Sequence, residues 1–358
     1  MSKVIGIDLG TTFSAIASLD DLGNPEVLAS IEDNRKITAS AVYLKGNEVI
    51  VGDKALNYLK DQSNNVILQT KREMENDVVY STDEGKWVSD KDLVDAYTPA
   101  QVSSLILKKL KEYTSDVKKV VITVPAMFAE RARQATLDAA KIADLEVIEL
   151  INEPTAAVLH YASLPGVEVG GRVMIFDLGG GTFDVTFAEV KNKKVDVMTS
   201  RGDKYLGGRD FDKEITKLMK KKYFDVHNVE IDIENNKEYI HKAEEVKKIL
   251  SVKDKANIEI TGPKGPQKIE ITQEEFEESI QTYIEKIKML IEEAMEASGM
   301  NPSRINQTLL VGGSTRMPII TKVLTQMMGK PPVKGVNVDE AVVCGAAIYA
   351  GLKTEKET

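Results

Sequence analysis

Apolar and polar positions alternate in the same way at two places along the chain. Residues 5–12 form a short apolar run that ends in Asp-Leu-Gly and two threonines, and the alternating segment 13–19 follows. Residues 175–182 repeat the arrangement with three glycines, ahead of the alternating segment 183–190. Each place predicts a strand, a glycine turn and a second strand, which together make a hairpin. Because the two hairpins lie about half the chain apart, they predict two halves of similar architecture.

Helical periodicity separates further strand-like segments in both halves. Buried strands are predicted at 120–124 and 147–151, and helices follow them at 130–143 and 155–162. Strands that alternate with helices indicate an α/β fold. Residues 164–171, with one proline and three glycines, are the predicted lobe boundary. The second half adds amphipathic helices and two strands around a Gly-Pro-rich turn, predicted at 211–219, 238–252, 257–261, 268–271 and 273–297.

Composition and charge exclude several classes of protein. The 358 residues carry 47 basic and 56 acidic side chains, a net charge of −9, which argues against binding to nucleic-acid phosphates. No apolar stretch approaches the ~20 residues needed to cross a bilayer, and residues 1–8 leave no room for a signal peptide. The single cysteine, Cys344, cannot form an internal disulfide. A cytoplasmic protein without a membrane or nucleic-acid partner is therefore predicted.

Three glycine-rich turns carry the candidate chemistry. A turn of small residues leaves several backbone N–H groups pointing into one concavity, which suits phosphate oxygens. Asp8 and Asp177 come just before the first two turns, where a carboxylate can hold a hydrated Mg²⁺ beside the phosphates. Neither turn fits the Walker or Rossmann glycine pattern. In the third turn, 309–316, the glycines would admit a base or sugar, and Arg316 would lie against an aromatic ring.

Other polar residues carry little weight in isolation. Lys71 and Glu153 are residue types that are common on any protein surface. Four residues at helical spacing lie on one face of a predicted helix: Glu244, Lys247, Lys248 and Ser251. Taken alone, they are interpreted as a solvated stripe with Glu-Lys pairs. The three histidines are too scattered for a metal site.

Taken together, five motifs resemble the nucleotide-binding domain of the 70-kDa heat shock chaperones. They are Ile-Gly-Ile-Asp-Leu-Gly-Thr-Thr at 5–12, Asn-Glu-Pro-Thr-Ala-Ala at 152–157, Phe-Asp-Leu-Gly-Gly-Gly-Thr-Phe-Asp at 176–184, Leu-Val-Gly-Gly-Ser-Thr-Arg at 310–316 and Asp-Glu-Ala-Val at 339–342. The resemblance implies an actin-like ATPase fold, in which two similar lobes with duplicated ribonuclease H-like cores surround a nucleotide cleft. It also implies that ATP is hydrolysed slowly to ADP and phosphate with Mg²⁺, and K⁺ is a second candidate cation.

The resemblance further implies how the chain is divided. Lobe I would comprise residues 1–165, with a core at 1–36 and 98–165 and a small subdomain at 37–97. Lobe II would comprise residues 166–358, with a core at 166–206 and 286–358 and a small subdomain at 207–285. A monomer is expected.

The family's functional residues can be placed position by position. Lys71 would reach the γ-phosphate and orient the attacking water, with Glu153, Asp177 and Thr182 as the other catalytic residues. Asp8 and Asp177 would hold magnesium through its waters. Pro125 and Arg133 would relay the nucleotide state between the lobes. The nucleotide-binding residues would be Gly10, Thr11, Thr12, Gly179, Gly180, Gly181, Thr182, Gly208, Glu244, Lys247, Lys248, Ser251, Gly312, Gly313, Ser314, Arg316 and Asp339.

Three departures from the family pattern change what is expected. Lys248 stands where the family usually has arginine, and lysine lacks the planar group that stacks on adenine, so we expect nucleotide affinity to be weaker by ~1 kcal/mol. Glu149 stands where many members have a basic residue, so docking of a J-domain co-chaperone is expected to be weakened. Short segments after Lys71 and Ser251 predict the loss of loops that some nucleotide exchange factors use.

The residues after Leu352 form neither an apolar linker nor a β-rich peptide-binding domain. We therefore interpret the chain as the ATPase domain of a molecular chaperone, excised from a longer protein, whose nucleotide state would control peptide binding elsewhere. Two alternatives share the fold. A filament-forming actin relative would sediment with ATP, and a small-molecule kinase would need a catalytic aspartate facing an acceptor pocket.

Overall fold

The computed structural model describes residues 4–354, apart from 62, 90–91, 94–95, 116, 167–168 and 192–193. Part of the predicted lobe boundary at 164–171 and the last four residues of the chain lie outside the described residues. Within the described part, no helix combines the length and the apolar character that crossing a membrane requires.

The described residues of the first half form strands and helices whose bounds are, in chain order, β1 (Ile5–Asp8), β2 (Phe13–Leu19), β3 (Pro25–Val27), β4 (Thr38–Ala39), β5 (Ala41–Lys45), β6 (Glu48–Val51), α1 (Asp53–Leu56), β7 (Val66–Leu68), β8 (Val79–Ser81), β9 (Lys86–Val88), β10 (Ala96–Tyr97), α2 (Pro99–Lys111), β11 (Lys119–Val124), α3 (Glu130–Ile142), β12 (Glu146–Asn152) and α4 (Glu153–Ser163). Those of the second half are β13 (Gly171–Leu178), β14 (Phe183–Lys191), β15 (Lys194–Asp203), α5 (Gly208–His227), α6 (Lys237–Leu250), β16 (Lys255–Gly262), β17 (Gly265–Thr272), α7 (Gln273–Ser279), α8 (Gln281–Ser298), β18 (Gln307–Val311), α9 (Pro318–Met328) and α10 (Ala341–Thr354).

Each half is built on a sheet with one of the predicted hairpins at its centre. In the first half the strands lie in the order β12-β11-β1-β2-β3, with β4 beside β2. In the second half the order is β15-β14-β13-β18. In both sheets the first strand of the hairpin runs antiparallel to the second and parallel to a later strand, β11 or β18. This repeat confirms the predicted α/β class and the duplicated core of an actin-like fold.

Two helices with small residues cross between the sheets. Helix α10 packs against α4 and against strands β1, β2 and β11. A Cβ atom at Gly6 in β1 would overlap the backbone nitrogen of Ala347, and one at Gly345 would overlap the carbonyl oxygen of Ala156. The close approach of these backbones therefore depends on residues without side chains at the crossing points.

Smaller units flank the two sheets. The segment after β4 forms the three-stranded sheets β6-β5-β7 and β10-β8-β9. In the second half, helices α5 and α6 pack together beside the hairpin of β16 and β17. Separate apolar clusters fill the outer parts of the two halves, and a third cluster around α4 and α10 joins them. The lobe and subdomain boundaries given above remain a prediction.

One predicted helix is divided in the structure. The apolar pattern at 273–297 predicts a single long helix, whereas α7 ends at Ser279 and α8 begins at Gln281. Between them, Ile280 adopts φ −98° and ψ 6° and is fully buried. Because its side chain stays in the apolar row formed by Phe276, Ile280 and Ile284, the hydrophobic period continues across the break and gives no sign of it.

Candidate functional site

The glycine turns of the two hairpins face each other across a cleft. A Cβ atom at Gly180 would overlap Oγ1 of Thr12, and one at Gly181 would overlap Cγ2 of Thr11. The first turn is also fixed from behind, because the Ser40 hydroxyl donates to the carbonyl oxygen of Gly10 at 2.8 Å. The two predicted phosphate turns are therefore in close contact, with the side chains of Thr11 and Thr12 packed directly on the backbone of Gly180 and Gly181.

The second turn is held by the start of helix α5. The N–H of Gly208 donates to the carbonyl oxygen of Gly179 at 2.9 Å, and the N–H of Arg209 donates to that of Gly180 at 2.8 Å. The Ser314 hydroxyl also donates to the Gly179 oxygen, at 3.0 Å. Because its carbonyls are engaged on the outer side, the turn keeps its peptide groups in one fixed orientation.

Lys71 lies at the floor of the cleft in a buried ion pair. Its Nζ atom is 2.5 Å from Oε1 of Glu153, and both side chains are 8% exposed. Burial opposes the charge of Lys71, but the carboxylates of Glu153 and Asp8 outweigh that effect and raise its pKa. The lysine is thus held as a cation although its side chain is almost completely buried.

Buried carboxyls surround this lysine. Burial raises the pKa of Asp8, against the attraction of Lys71 and a 2.9 Å hydrogen bond from the Thr123 hydroxyl. Burial and the neighbouring Glu153 raise the pKa of Asp177 well above its usual range. Burial also raises the pKa of Glu153 itself. The cleft floor therefore contains more carboxyl groups than its lysine can neutralise, which is the charge balance of a site that accepts a cation.

The cleft encloses about 690 Å³, including its open mouth. Both glycine turns and the acidic floor contribute to its walls, together with the third glycine element. Its lining residues are Asp8, Gly10, Thr11, Thr12, Phe13, Ser14, Ala15, Ile37, Lys71, Glu153, Asp177, Gly179, Gly180, Thr182, Val311, Gly312, Gly313, Val338, Asp339 and Val342.

Helix α6 lies beside the cleft, where Lys248 contacts the lining residue Phe13. Lys247 is 8% exposed; its Nζ atom donates to the carbonyl oxygen of Gly208 at 2.9 Å and lies 2.7 Å from Asp212. The solvated stripe suggested by the residues alone is therefore wrong for Lys247. Burial raises the pKa of Asp212 to about 6, although Lys247 acts in the opposite direction. Ser251 donates its hydroxyl to the Lys247 carbonyl at 3.0 Å, within the helix itself.

Lys248 extends to the first half of the chain, whereas Lys247 bonds within the second half. Its Nζ atom lies 5.6 Å from the ring centroid of Phe13, at the start of β2, and 3.1 Å from Glu244. Burial disfavours the charge of Glu244, but His241, whose Nδ1 atom is 3.8 Å away, and the two nearby lysines lower its pKa to about 2. A charged pair from one half therefore faces an aromatic ring from the other.

The third glycine element lies opposite α6. Gly312 has φ 86°, a left-handed conformation that favours glycine. Arg316 is half-exposed, and its guanidinium is held by Asp339 at 2.6 Å and by the Asn337 side chain at 3.1 Å. A Cβ atom on Gly313 would lie 2.8 Å from Oδ1 of Asp339. The structure thus places Gly312, Gly313, Arg316 and Asp339 together.

The predicted relay residues lie near the catalytic candidates. Pro125 lines a second cavity of about 730 Å³ together with Thr182 and Asp184. Arg133 donates to the carbonyl oxygen of Phe128 at 3.1 Å and to Oδ1 of Asn152 at 2.7 Å, so it is bonded to the residue before Glu153. These bonds of Arg133 stay within the first half of the chain.

Sequence reasoning missed several residues of the site. Arg72 donates to the carbonyl oxygen of Gly181 at 2.7 Å and pairs with Asp210 at 2.6 Å, which joins the two halves beside the second turn. Asp184 is buried with an unpartnered Oδ1 atom, and burial and Asp177 raise its pKa. Arg72 follows Lys71, and Asp184 follows the triple glycine. The residues that they contact in the fold lie too far away in the sequence for a local pattern to reveal the role of either one.

Two similar sheets with opposed glycine turns around an acidic cleft define an actin-like fold with a phosphate-binding type of site. Residues 4–358 match the model of the family described as "Hsp70 protein". The chain belongs to the Hsp70 family. It is 37% identical over 380 residues to "Chaperone protein dnaK" of Thalassiosira pseudonana, an alignment that covers 98% of this chain and 62% of that protein. The chain thus spans less than two thirds of the length of this relative.

Proposed function

We propose that the chain binds ATP in the cleft and hydrolyses it to ADP and phosphate, as the ATPase part of an Hsp70-type chaperone. The observation that carries the proposal is the buried Lys71 between two glycine turns that face each other. Backbone N–H groups of 10–12 and 179–182 would hold the β- and γ-phosphates, and the fixed cation would balance their charge.

A magnesium ion fits the charge balance of this floor. Asp8 and Asp177 are part-buried carboxyls with raised pKa values, so a divalent cation would relieve their mutual repulsion. Among the described residues, no three His, Cys, Asp or Glu side chains are arranged to ligate a metal directly, which favours attachment of Mg²⁺ through its waters. When bound, Mg²⁺ would withdraw charge from the phosphate oxygens.

The chain's own residues would position the reaction and take up its proton. Glu153 holds Lys71 in place, and Lys71 would orient the attacking water toward the terminal phosphate. Because burial raises the pKa of Glu153 and of Asp184, either carboxylate is a better proton acceptor near neutral pH than an exposed one. The unpartnered Oδ1 atom of Asp184 is free to accept that proton.

The adenosine would lie between α6 and the third glycine element. Glu244, Lys247 and Ser251 would contact it from one side, and Gly313, Arg316 and Asp339 would close the other. Lys248 would meet the adenine ring opposite Phe13. Gly208 and Ser314 support this arrangement because both bond the second phosphate turn.

The test is single-turnover ATP hydrolysis by Lys71→Met. We expect the rate to fall by ~10²–10³-fold while ATP binding stays measurable, because the cation acts on charge that develops during transfer. Lys86→Met is the matched control, since Lys86 is exposed and pairs with Glu84 on the surface. If unpaired Glu153 unfolds the variant, Lys71→Met with Glu153→Gln removes both charges. Retained hydrolysis in folded protein would refute the role of Lys71.

Partners are also proposals. We propose that a J-domain protein and an exchange factor act on this chain, with J-domain docking weakened at Glu149, whose carboxylate is taken up by Tyr349 at 2.8 Å and Lys353 at 2.5 Å. Peptide binding controlled by the nucleotide, and a cytoplasmic location, are proposed from the family and from the single Cys344. The family assignment does not favour a filament or a small-molecule kinase.

A further inference from the structure

Lys237 carries an unusual set of hydrogen bonds from one half of the chain to the other. It is the first residue of α6, yet its ammonium lies within hydrogen-bond distance of four oxygen atoms of the segment 63–85 of the first half, which share its three N–H donors. The acceptors are the carbonyl oxygens of Ser63 at 2.8 Å, Val66 at 2.9 Å and Gly85 at 3.1 Å, and the hydroxyl of Tyr80 at 2.6 Å.

These four oxygens form a cage for a cation; we use "oxygen cage" for them below. The Tyr80 hydroxyl donates its own proton to Asn64 and Val66, so it presents a lone pair to Lys237. The ammonium also lies 5.3 Å from the centroid of the Tyr80 ring. Since the ammonium is 2.6 Å from the Tyr80 hydroxyl oxygen, this distance puts it beyond the hydroxyl and not over the ring face, so three carbonyls and the phenol oxygen present the negative partial charge.

Charge attraction to a carboxylate does not explain this contact. Within the described part of the chain, no acidic side chain lies within ion-pair distance of Lys237. Burial and the neighbouring Arg209 act against its charge and lower its pKa to about 8. The oxygen cage is therefore what compensates for removing the ammonium from water.

Helix α6 connects this contact to the proposed adenosine site. Lys237, Glu244, Lys248 and Ser251 are spaced by 7, 4 and 3 residues. At 3.6 residues per turn, this spacing puts all four on one face of the helix. Helix α6 thus contacts the first half of the chain through its first residue and carries the candidate nucleotide contacts nearer its C-terminal end.

Ion pairs also join the halves near the cleft, but from a different segment. Arg72 pairs with Asp210, and Glu75 pairs with Lys204 at 2.6 Å. Both start from residues 72–75, next to catalytic Lys71. Lys237 instead bonds residues 63–66 and 80–85, so it fastens the beginning of α6 to the first half.

We propose that Lys237 is a positioning residue that fastens α6 to the oxygen cage, keeps the lobes closed and slows the release of nucleotide. The part that concerns release rests on the proposed function. The part that concerns closure is independent of any nucleotide.

The test replaces the lysine and then restores its ammonium chemically. In Lys237→Cys the cage loses its cation, and alkylation with 2-bromoethylamine rebuilds an ammonium at nearly the original length. Alkylation with iodoacetamide adds a neutral group of similar size as the control. Burial raises the pKa of Cys344, the chain's own thiol, to about 12, so it stays unmodified in the folded protein. Lys242→Cys is the matched variant, because Lys242 lies on the same helix but pairs with Glu238.

We expect Lys237→Cys to release a fluorescent ADP about tenfold faster and to show a larger radius of gyration in ligand-free X-ray scattering. Aminoethylation should reverse both changes, and carbamidomethylation should leave both in place. Lys242→Cys should show neither faster release nor a larger size. Unchanged release and size in Lys237→Cys, or equal reversal by the neutral group, would overturn the proposal. Lys237→Met replaces the cysteine variant if that one does not fold.

The two proposals fail in different ways. If the unmodified chain does not bind ADP, the proposed function is refuted, and the scattering comparison still tests the closure. If ADP binds and neither its release nor the size responds to Lys237, only the role of the oxygen cage is refuted.

Discussion

At the scale of single residues, the cleft floor combines one fixed cation with an excess of buried carboxyls. Lys71 is paired with Glu153, while Asp8 and Asp177 retain raised pKa values. Such an arrangement costs stability in the ligand-free protein, because buried charge is incompletely compensated. The same excess of negative charge gives the site its attraction for a divalent cation.

We predict that Asp177→Asn stabilises the ligand-free chain at pH 7 by ~1 kcal/mol. Since the pKa of Asp177 is raised in the folded state, its carboxyl favours folding when protonated and loses that contribution as the pH rises through the folded pKa. The advantage of asparagine should therefore shrink as the pH falls toward ~4. Urea unfolding at both pH values measures it.

Exposed Asp61→Asn provides the comparison for this prediction, and its effect should stay within ~0.5 kcal/mol at both pH values. An advantage of Asp177→Asn that is equal at both pH values would contradict the account, because it could not come from the carboxyl charge.

Lys248→Arg should tighten ADP binding by ~1 kcal/mol, which is about fivefold. The planar guanidinium would stack on adenine where the lysine offers a point charge, and Phe13 already provides an aromatic surface 5.6 Å away. Calorimetry of ADP with Mg²⁺ tests this, with exposed Lys253→Arg alongside. Equal ADP affinities of Lys248→Arg and the unmodified chain would contradict the expectation that lysine at this position weakens nucleotide binding.

Some residues of the site were predictable and others were not, for a physical reason. The glycine turns belong to continuous motifs, so their chemistry is visible in the sequence, whereas Lys71 was placed only through the family resemblance. Arg72 and Lys237 bind main-chain carbonyls of Gly181 and of Ser63, Val66 and Gly85. Every residue has a carbonyl oxygen, so no residue type marks these partners, and only the folded arrangement identifies them.

At the scale of elements, the crossing of α4 and α10 is set by small residues. A Cβ atom at Gly345 has no room beside the backbone of Ala156, which is fully buried. The two helices approach each other at backbone distance, and a larger residue could be fitted only by separating them.

Gly345→Val should therefore lower the free energy of unfolding by ~3 kcal/mol or more. Gly170→Val is the control, because Gly170 is exposed and a Cβ atom there would meet open space. Thermal unfolding followed by circular dichroism compares the two. A Gly345 variant as stable as the Gly170 variant would mean that α4 and α10 can separate without cost.

Periodicity predicted most elements but not their interruptions. Strand β2 has the predicted bounds, and the hairpin of β16 and β17 lies where the Gly-Pro-rich turn placed it. The break at Ile280 was missed because the apolar row of α7 continues into α8. A hydrophobic period reports which face is buried, and this face stays the same on both sides of the break.

At the scale of the whole molecule, two apolar clusters of separate halves meet at a third one beneath the cleft. Above that base, the halves are joined by a few polar contacts, among them Arg72 with Asp210 and Lys237 with the oxygen cage. A ligand held by both glycine turns would add a connection where the protein has few.

We predict that ATP with Mg²⁺ raises the stability of the whole chain, by ~4 kcal/mol when the ligand is present at about 1,000 times its dissociation constant. Chelation of Mg²⁺ should remove most of this gain, because Asp8 and Asp177 then repel the phosphates. Differential scanning calorimetry with ATP, with and without EDTA, measures both effects. An equal gain with EDTA would place the nucleotide away from these aspartates.

The contact of Glu149 with Tyr349 and Lys353 gives the last helix a mechanical connection to the chemistry. From Glu149 to Asn152, strand β12 pairs with β11 at each step, and the next residue is Glu153, the partner of Lys71. The contacts of α10 and the Lys71 ion pair therefore lie only four residues apart on one continuous stretch of backbone, so a variant at Tyr349 or Lys353 is a direct way to perturb the cleft floor from outside.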